Sequence, residues 1–286
     1  MSRIFRQAAL SGAGTSWQTL MKTLLLSACM LMACGPTQAE AAARVVCTLV
    51  VSAETGQALI DQGDCARRYS PASTFKIAIS LMGFDSGILE SSDKPVLPFK
   101  KGYMDFIPEW RHAQTPASWM RDSVVWYSQQ TTKHLGDEKF AGYVKALDYG
   151  NQDVSGDPGK NNGLTHAWLS SSLQISPKEQ VAFLTKLIHH QLPVSDGAVS
   201  NTSAILDQGG KGNWHIFGKT GSGYTRGADG KLTKPFGWFV GWATRGKDTV
   251  VFARLIQADE GRAMGSGPKA RDGLITSVFL KKDSLK

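Results

Sequence analysis

Residues 70–82 read Ser70-Pro71-Ala72-Ser73-Thr74-Phe75-Lys76-Ile77-Ala78-Ile79-Ser80-Leu81-Met82, a proline near a helix start followed by an apolar run. Proline is preorganised for the first helical turn, so Ser73 is expected there, where the helix dipole favours a developing alkoxide. Ser73 and Lys76 are three residues apart and share one helix face. Phe75, Ile77, Ile79, Leu81 and Met82 leave little polar surface, so the helix is expected to be buried. Burial disfavours the ammonium form of Lys76, and a neutral amine or its derivative can take a serine proton.

Outward from this helix the chain divides into a helical middle and two strand-rich ends. Cys47–Ser52 and Gln57–Ile60 flank the turn Glu54-Thr55-Gly56 and predict a β-hairpin. Trp214–Phe217, Trp238–Thr244 and Thr249–Gln257 predict three more strands, and residues 268–285 a terminal helix. Ser176-Pro177-Lys178-Glu179 is a capping box, with Val181, Leu184, Leu187 and Ile188 following on one face. The expected architecture is α/β in layers: an antiparallel sheet of five or more strands from both chain ends, flanked by helices, with an all-helical subdomain inserted. Residues 71–212 are expected to be mainly helical, and 42–70 with 213–286 to form the sheet region.

The chain has 286 residues, of which 42% are hydrophobic and 20% charged, which excludes disordered, collagenous and multi-span membrane classes. The net charge of +8 is spread without a basic run of five, so no nucleic-acid partner is expected. From Met21, the expected start, Lys22 precedes the apolar stretch Leu24–Ala33 and the small-residue site Ala39-Glu40-Ala41. That order describes a secretory signal peptide over residues 1–41, too short to span a bilayer. Leu31-Met32-Ala33-Cys34 offers the alternative of a lipidated Cys34. Removal of 1–41 lowers the charge to +6 and leaves one exported domain over 42–286, with two of the four cysteines. In an oxidising periplasm Cys47 and Cys65 are expected to bridge, the alternative being two buried thiols.

Beyond Ser73 and Lys76, three short motifs follow in order: Ser123-Val124-Val125, Tyr149-Gly150-Asn151 and Lys219-Thr220-Gly221. The last is read as ending a strand, and Gly221 lets backbone approach a ligand. The Ser-x-x-Lys matches at Ser91–Lys94 and Ser266–Lys269 are read as surface coincidences. His189 and His190 are adjacent and cannot form an i, i+4 ligand pair, and the other histidines are scattered, so no metal is expected.

The ordered set resembles the active-site series of penicillin-recognising serine enzymes, and within them the class D, oxacillinase-type β-lactamases. The most specific stretches are Pro71–Lys76, Ser123–Tyr127, Tyr149–Asn151, Trp168–Ser176, Lys219–Gly221 and Gly237–Trp242. The resemblance implies hydrolysis of β-lactams, with Ser73 as nucleophile and Lys76 carboxylated by CO₂ to N6-carboxylysine as general base. No cofactor beyond CO₂ or bicarbonate is implied. Trp168 would hold the carbamate inside apolar walls from Phe75, Val125 and Leu169. Ser123, supported by Lys219, would relay a proton to the lactam nitrogen. The backbone N–H groups of Ser73 and Ser222 would form the oxyanion hole. Thr220, Gly221 and Arg271 would bind substrate, with Arg262 and Arg245 as substitutes for Arg271. Tyr149 and Asn151 would hold the loop from Val154 to Trp168. The other functions with this motif order are a D,D-peptidase and a β-lactam receptor domain, which acylate without rapid turnover.

Overall fold

Strand β1 (Arg44–Ser52) turns into β2 (Ala58–Gly63), and the chain returns to the same sheet only after a long helical excursion. The computed structural model describes residues 43–285. The expected signal peptide and the lipidation alternative at Cys34 therefore lie outside the described residues. Strands β3 (Asp207–Lys211), β4 (Trp214–Arg226), β5 (Leu232–Arg245) and β6 (Asp248–Gln257) complete a six-stranded antiparallel sheet. Its order is β2-β1-β6-β5-β4-β3, so the chain's first strand lies beside its last.

The sheet is covered on both faces, which is why its strands read as long apolar runs. Successive residues of a strand point to opposite faces. Trp238 and Val240 accordingly join the core beneath the helical region, while Phe239 joins the core beneath the C-terminal helix. Leu49 and Val50 divide in the same way. Cys47 and Cys65 are joined by a disulfide that ties β1 to the chain leaving β2.

The helical region begins with a 3₁₀ turn (Ala72–Phe75) that runs into α1 (Lys76–Asp85). Helix α1 is buried on every side: Ile77, Ala78, Ile79, Leu81 and Met82 are inaccessible to solvent. It is followed by α2 (Pro116–Asp122), α3 (Val125–Leu135), α4 (Asp137–Ala146), α5 (Gly163–His166), α6 (Pro177–Ile188) and α7 (Asp196–Ile205), of which α3, α4 and α7 pack on α1 and α6 packs on the sheet. The capping box at Ser176 and Glu179 is present, with Val181, Leu184 and Leu187 buried.

Three local expectations need correction. The sheet region begins before residue 213, because β3 lies at 207–211. With Gly209 and Gly210 and no apolar run, β3 owes its extended form to backbone pairing with β4, which a side-chain pattern does not announce. Lys219-Thr220-Gly221 lies mid-strand, since β4 continues to Arg226 against β5. The last helix, α8 (Ser266–Leu274), starts earlier than expected and passes into a π-helical turn over Ile275–Phe279.

Candidate active site

The 3₁₀ turn places Ser73 on the seam between the helical region and β4. Ala72 holds φ at +49°, a left-handed conformation rare for a residue with a Cβ. Thr74 secures the turn, since its Oγ1 donates to the Pro71 carbonyl at 2.7 Å and accepts from Gln180 Nε2 at 2.9 Å. Gly221 faces this turn so closely that a Cβ there would lie 2.9 Å from the Pro71 oxygen and 3.2 Å from the Ser73 nitrogen. Glycine is required because backbone must approach backbone.

Lys76 opens α1 one turn later, and its Nζ donates to Ser73 Oγ at 3.1 Å. The residue is wholly buried. Burial first, and then the charge of Lys219, hold its amine well below the ordinary lysine range. Phe75, buried beside it, packs against Tyr149, Trp168 and Phe140 at ring distances of 5.0, 5.6 and 6.0 Å. Val125 is buried as well, and Leu169 is half-buried next to Trp168.

A second lysine–serine pair completes the centre. Ser123 sits between α2 and α3 with φ at +59°, its N–H donating to the Trp119 carbonyl. Lys219, on β4, donates its Nζ to Ser123 Oγ at 2.9 Å and to the Thr220 carbonyl at 3.2 Å. Burial is the first cause that lowers Lys219 to about 7, and the neighbouring Arg271 guanidinium is the second, while Asp122 pulls the other way. Arg271, on α8, is thereby placed within electrostatic reach of Lys219. Its Nε donates to Asp272 at 2.9 Å. Arg245 instead pairs with Asp248 in the β5–β6 hairpin, and Arg262 is exposed in the loop before α8.

On β4, Thr220 and Ser222 are partly open while Lys219 and Gly221 are buried, as strand alternation requires. Ser222 Oγ accepts the Gly267 N–H at 2.9 Å, docking the start of α8 on β4. Asn151 exchanges bonds with the segment after Trp168: its Nδ2 donates to Ser172 O at 2.9 Å and its Oδ1 accepts from Gln174 N at 2.9 Å.

The site tests whether a carboxylated lysine fits. Trp168 is fully buried, and its indole Nε1 has no hydrogen-bond partner among the described residues. An orphaned buried donor packed on Phe75, the residue next to a lysine whose buried amine is held well below the ordinary range, suits a small anion attached to that amine. Among the described residues no cluster of His, Cys, Asp or Glu could hold a metal ion.

Sequence reading missed Ser70, Ser170 and Gln180, which hold the site from behind. Ser70 borders the nucleophile motif, yet nothing in its pattern separates it from an ordinary turn serine.

Residues 46–276 match the penicillin binding protein transpeptidase domain. β-Lactamase OXA-9 of Klebsiella pneumoniae is 47% identical over 236 residues, covering 81% of this chain and 86% of that protein. β-Lactamase OXA-1 of Escherichia coli is 40% identical over 234 residues, covering 80% and 82%. The crystal structure of the OXA-427 class D β-lactamase superposes with a TM-score of 0.77 at 46% identity, covering 81% of this chain and 96% of that one. With the paired lysine–serine contacts on one seam and these relatives, the chain belongs to the class D serine β-lactamases of the penicillin-recognising superfamily.

Proposed function

We propose that Ser73, Lys76, Ser123 and Lys219 carry β-lactam hydrolysis in this protein. Ser73 Oγ attacks the lactam carbonyl carbon, the C–N bond breaks, and the ring nitrogen takes a proton. A water then cleaves the Ser73 ester and restores the hydroxyl. Carried by Lys76 as an N6-carboxylate, CO₂ supplies the base for both proton abstractions. Phe75, Val125 and Leu169 keep that region apolar, and Trp168 Nε1 offers a donor to an anion there.

Lys219 and Ser123 form a short path for the proton that reaches the lactam nitrogen. The backbone N–H groups of Ser73 and Ser222 are assigned to the carbonyl oxygen as it gains charge, and Thr220, Gly221 and Arg271 to the substrate and its carboxylate. Asn151, bonded to the segment after Trp168, keeps that loop in place beside Tyr149.

The observation that carries this reading is the buried Lys76 nitrogen on Ser73 Oγ, with an unsatisfied Trp168 indole in the same apolar cage. A D,D-peptidase or receptor acylated by a β-lactam does not turn that acyl-enzyme over rapidly. The working domain is assigned to residues 42–286, exported to the periplasm, where the Cys47–Cys65 bridge persists.

Hydrolysis of a chromogenic cephalosporin, with and without bicarbonate after degassing, tests the reading. Turnover that rises with bicarbonate, ignores a chelator and falls by about 10⁴-fold or more in Ser73→Ala is expected. A single acylation without turnover would move the protein to the receptor class.

A further inference from the structure

Ser170 has every polar group engaged. Its N–H donates to Ser70 Oγ at 3.0 Å, its Oγ accepts the Tyr224 N–H at 2.9 Å, and its carbonyl accepts Arg226 Nε at 2.7 Å. It holds φ at +56°, a conformation that a serine keeps only where its surroundings impose it. Ser70 Oγ in turn donates to the Trp168 carbonyl at 2.7 Å, and the Ser70 carbonyl accepts Trp238 Nε1 at 3.0 Å. Ser70 is 3% and Ser170 9% exposed, so these bonds are largely shielded from water.

One hydroxyl, three residues before Ser73, thus grips the Trp168-Leu169-Ser170 turn at both ends. The turn is pinned on its other side to β4 through Tyr224 and Arg226. Trp168 lies inside this clamp, and its indole nitrogen is the donor left unsatisfied.

We propose that Ser70 is a positioning residue which, with Ser170, aims the Trp168 indole at Lys76 and so sets how readily Lys76 takes up CO₂. The proposal rests on the carboxylated-lysine reading of the site. In that uptake the neutral Nζ forms a bond to the carbon of CO₂ and gives up one proton to solvent, yielding a carbamate anion. The step is reversible, so its equilibrium follows the stabilisation of the anion. Ser70→Ala leaves the Trp168 carbonyl and the Ser170 N–H buried without their partner, and the turn moves to satisfy them.

The test uses the folded mature enzyme, degassed and then titrated with ¹³C-bicarbonate, with carbamate occupancy read from its ¹³C resonance. Ser70→Ala is expected to raise the half-saturating bicarbonate concentration about tenfold, as part of the cost of its two lost buried hydrogen bonds reaches the carbamate through the displaced indole. Val278→Ala, in the core on the other face of the sheet, is expected to lower the melting temperature and leave that concentration unchanged. A Ser70→Ala titration curve superimposed on that of the parent enzyme overturns the positioning role. Failure of the parent enzyme itself to take up label overturns the carboxylated-lysine reading, and the proposal with it. Should Ser70→Ala not fold, Ser170→Gly replaces it, because glycine suits the left-handed backbone and only the bond to Tyr224 is lost. The same rise is expected there, and an unchanged curve is again decisive against the clamp.

Discussion

Lys219 is the charged neighbour of Lys76: after burial, its charge is what lowers the Lys76 amine further. Each lysine nitrogen holds a different serine hydroxyl, Lys76 that of Ser73 and Lys219 that of Ser123. Two buried ammonium ions side by side would repel in a medium that screens poorly. The arrangement therefore favours neutral Lys76, the form able to react with CO₂.

Stability should rise with pH above neutrality. Lys219 titrates at about 7 in the fold against an ordinary 10.5, so between those values the unfolded chain holds a proton that the folded one does not. Unfolding then takes up a proton, and raising the pH favours the native state until the window closes at the upper value. Lys76 adds a contribution of the same sign. Thermal melts of the parent and Lys219→Met across this window should show a shallower rise in the variant, and parallel curves would contradict the buried neutral amine.

Arg271→Ala should act in two ways. Losing the guanidinium removes the second cause of the low Lys219 value, so the limb of the pH–kcat/KM profile near neutrality moves to higher pH. Burial, the larger cause, keeps it below the ordinary lysine range. Loss of a charge-assisted contact to the substrate carboxylate should also raise KM about tenfold or more. Steady-state kinetics over a pH series reads both effects.

Lys76→Ala should separate the two chemical steps. Without the base, acylation slows but proceeds, whereas the ester persists because no group activates water. Intact-protein mass spectrometry should show the β-lactam adduct on Ser73 lasting far longer than in the parent enzyme.

Removing the Cys47–Cys65 bridge should weaken the fold without touching the chemistry. The bridge spans 18 residues, and constraining a loop of that size is worth about 3 kcal/mol. For a domain of this length that corresponds to a melting temperature lower by about 6–12 °C in Cys47→Ser/Cys65→Ser. Calorimetry of the two proteins checks it.

Local chemistry was legible wherever a residue's neighbours in sequence are its neighbours in space. Ser73 and Lys76 meet through one helical turn, and the Ser176–Glu179 capping box closes over three residues. The apolar runs marked β1, β5 and β6, because both faces of the sheet are covered and each strand is apolar along its length. The order of the motifs carries the resemblance to the enzyme superfamily, because that order is a property of the chain and needs no contact between them.

By itself, then, the sequence determined the fold class and offered the candidate residues of the site. Tertiary structure alone decided the contacts between distant segments: Lys219 on Ser123, Arg271 beside Lys219, and Ser70 gripping the turn that follows Trp168. It also decided β3, whose glycines carry no pattern, and the mid-strand place of Lys219. The physical reason is the same in each case. Backbone pairing and desolvation depend on what the rest of the chain brings to a position, and that information resides in the packed structure rather than in any local run of residues.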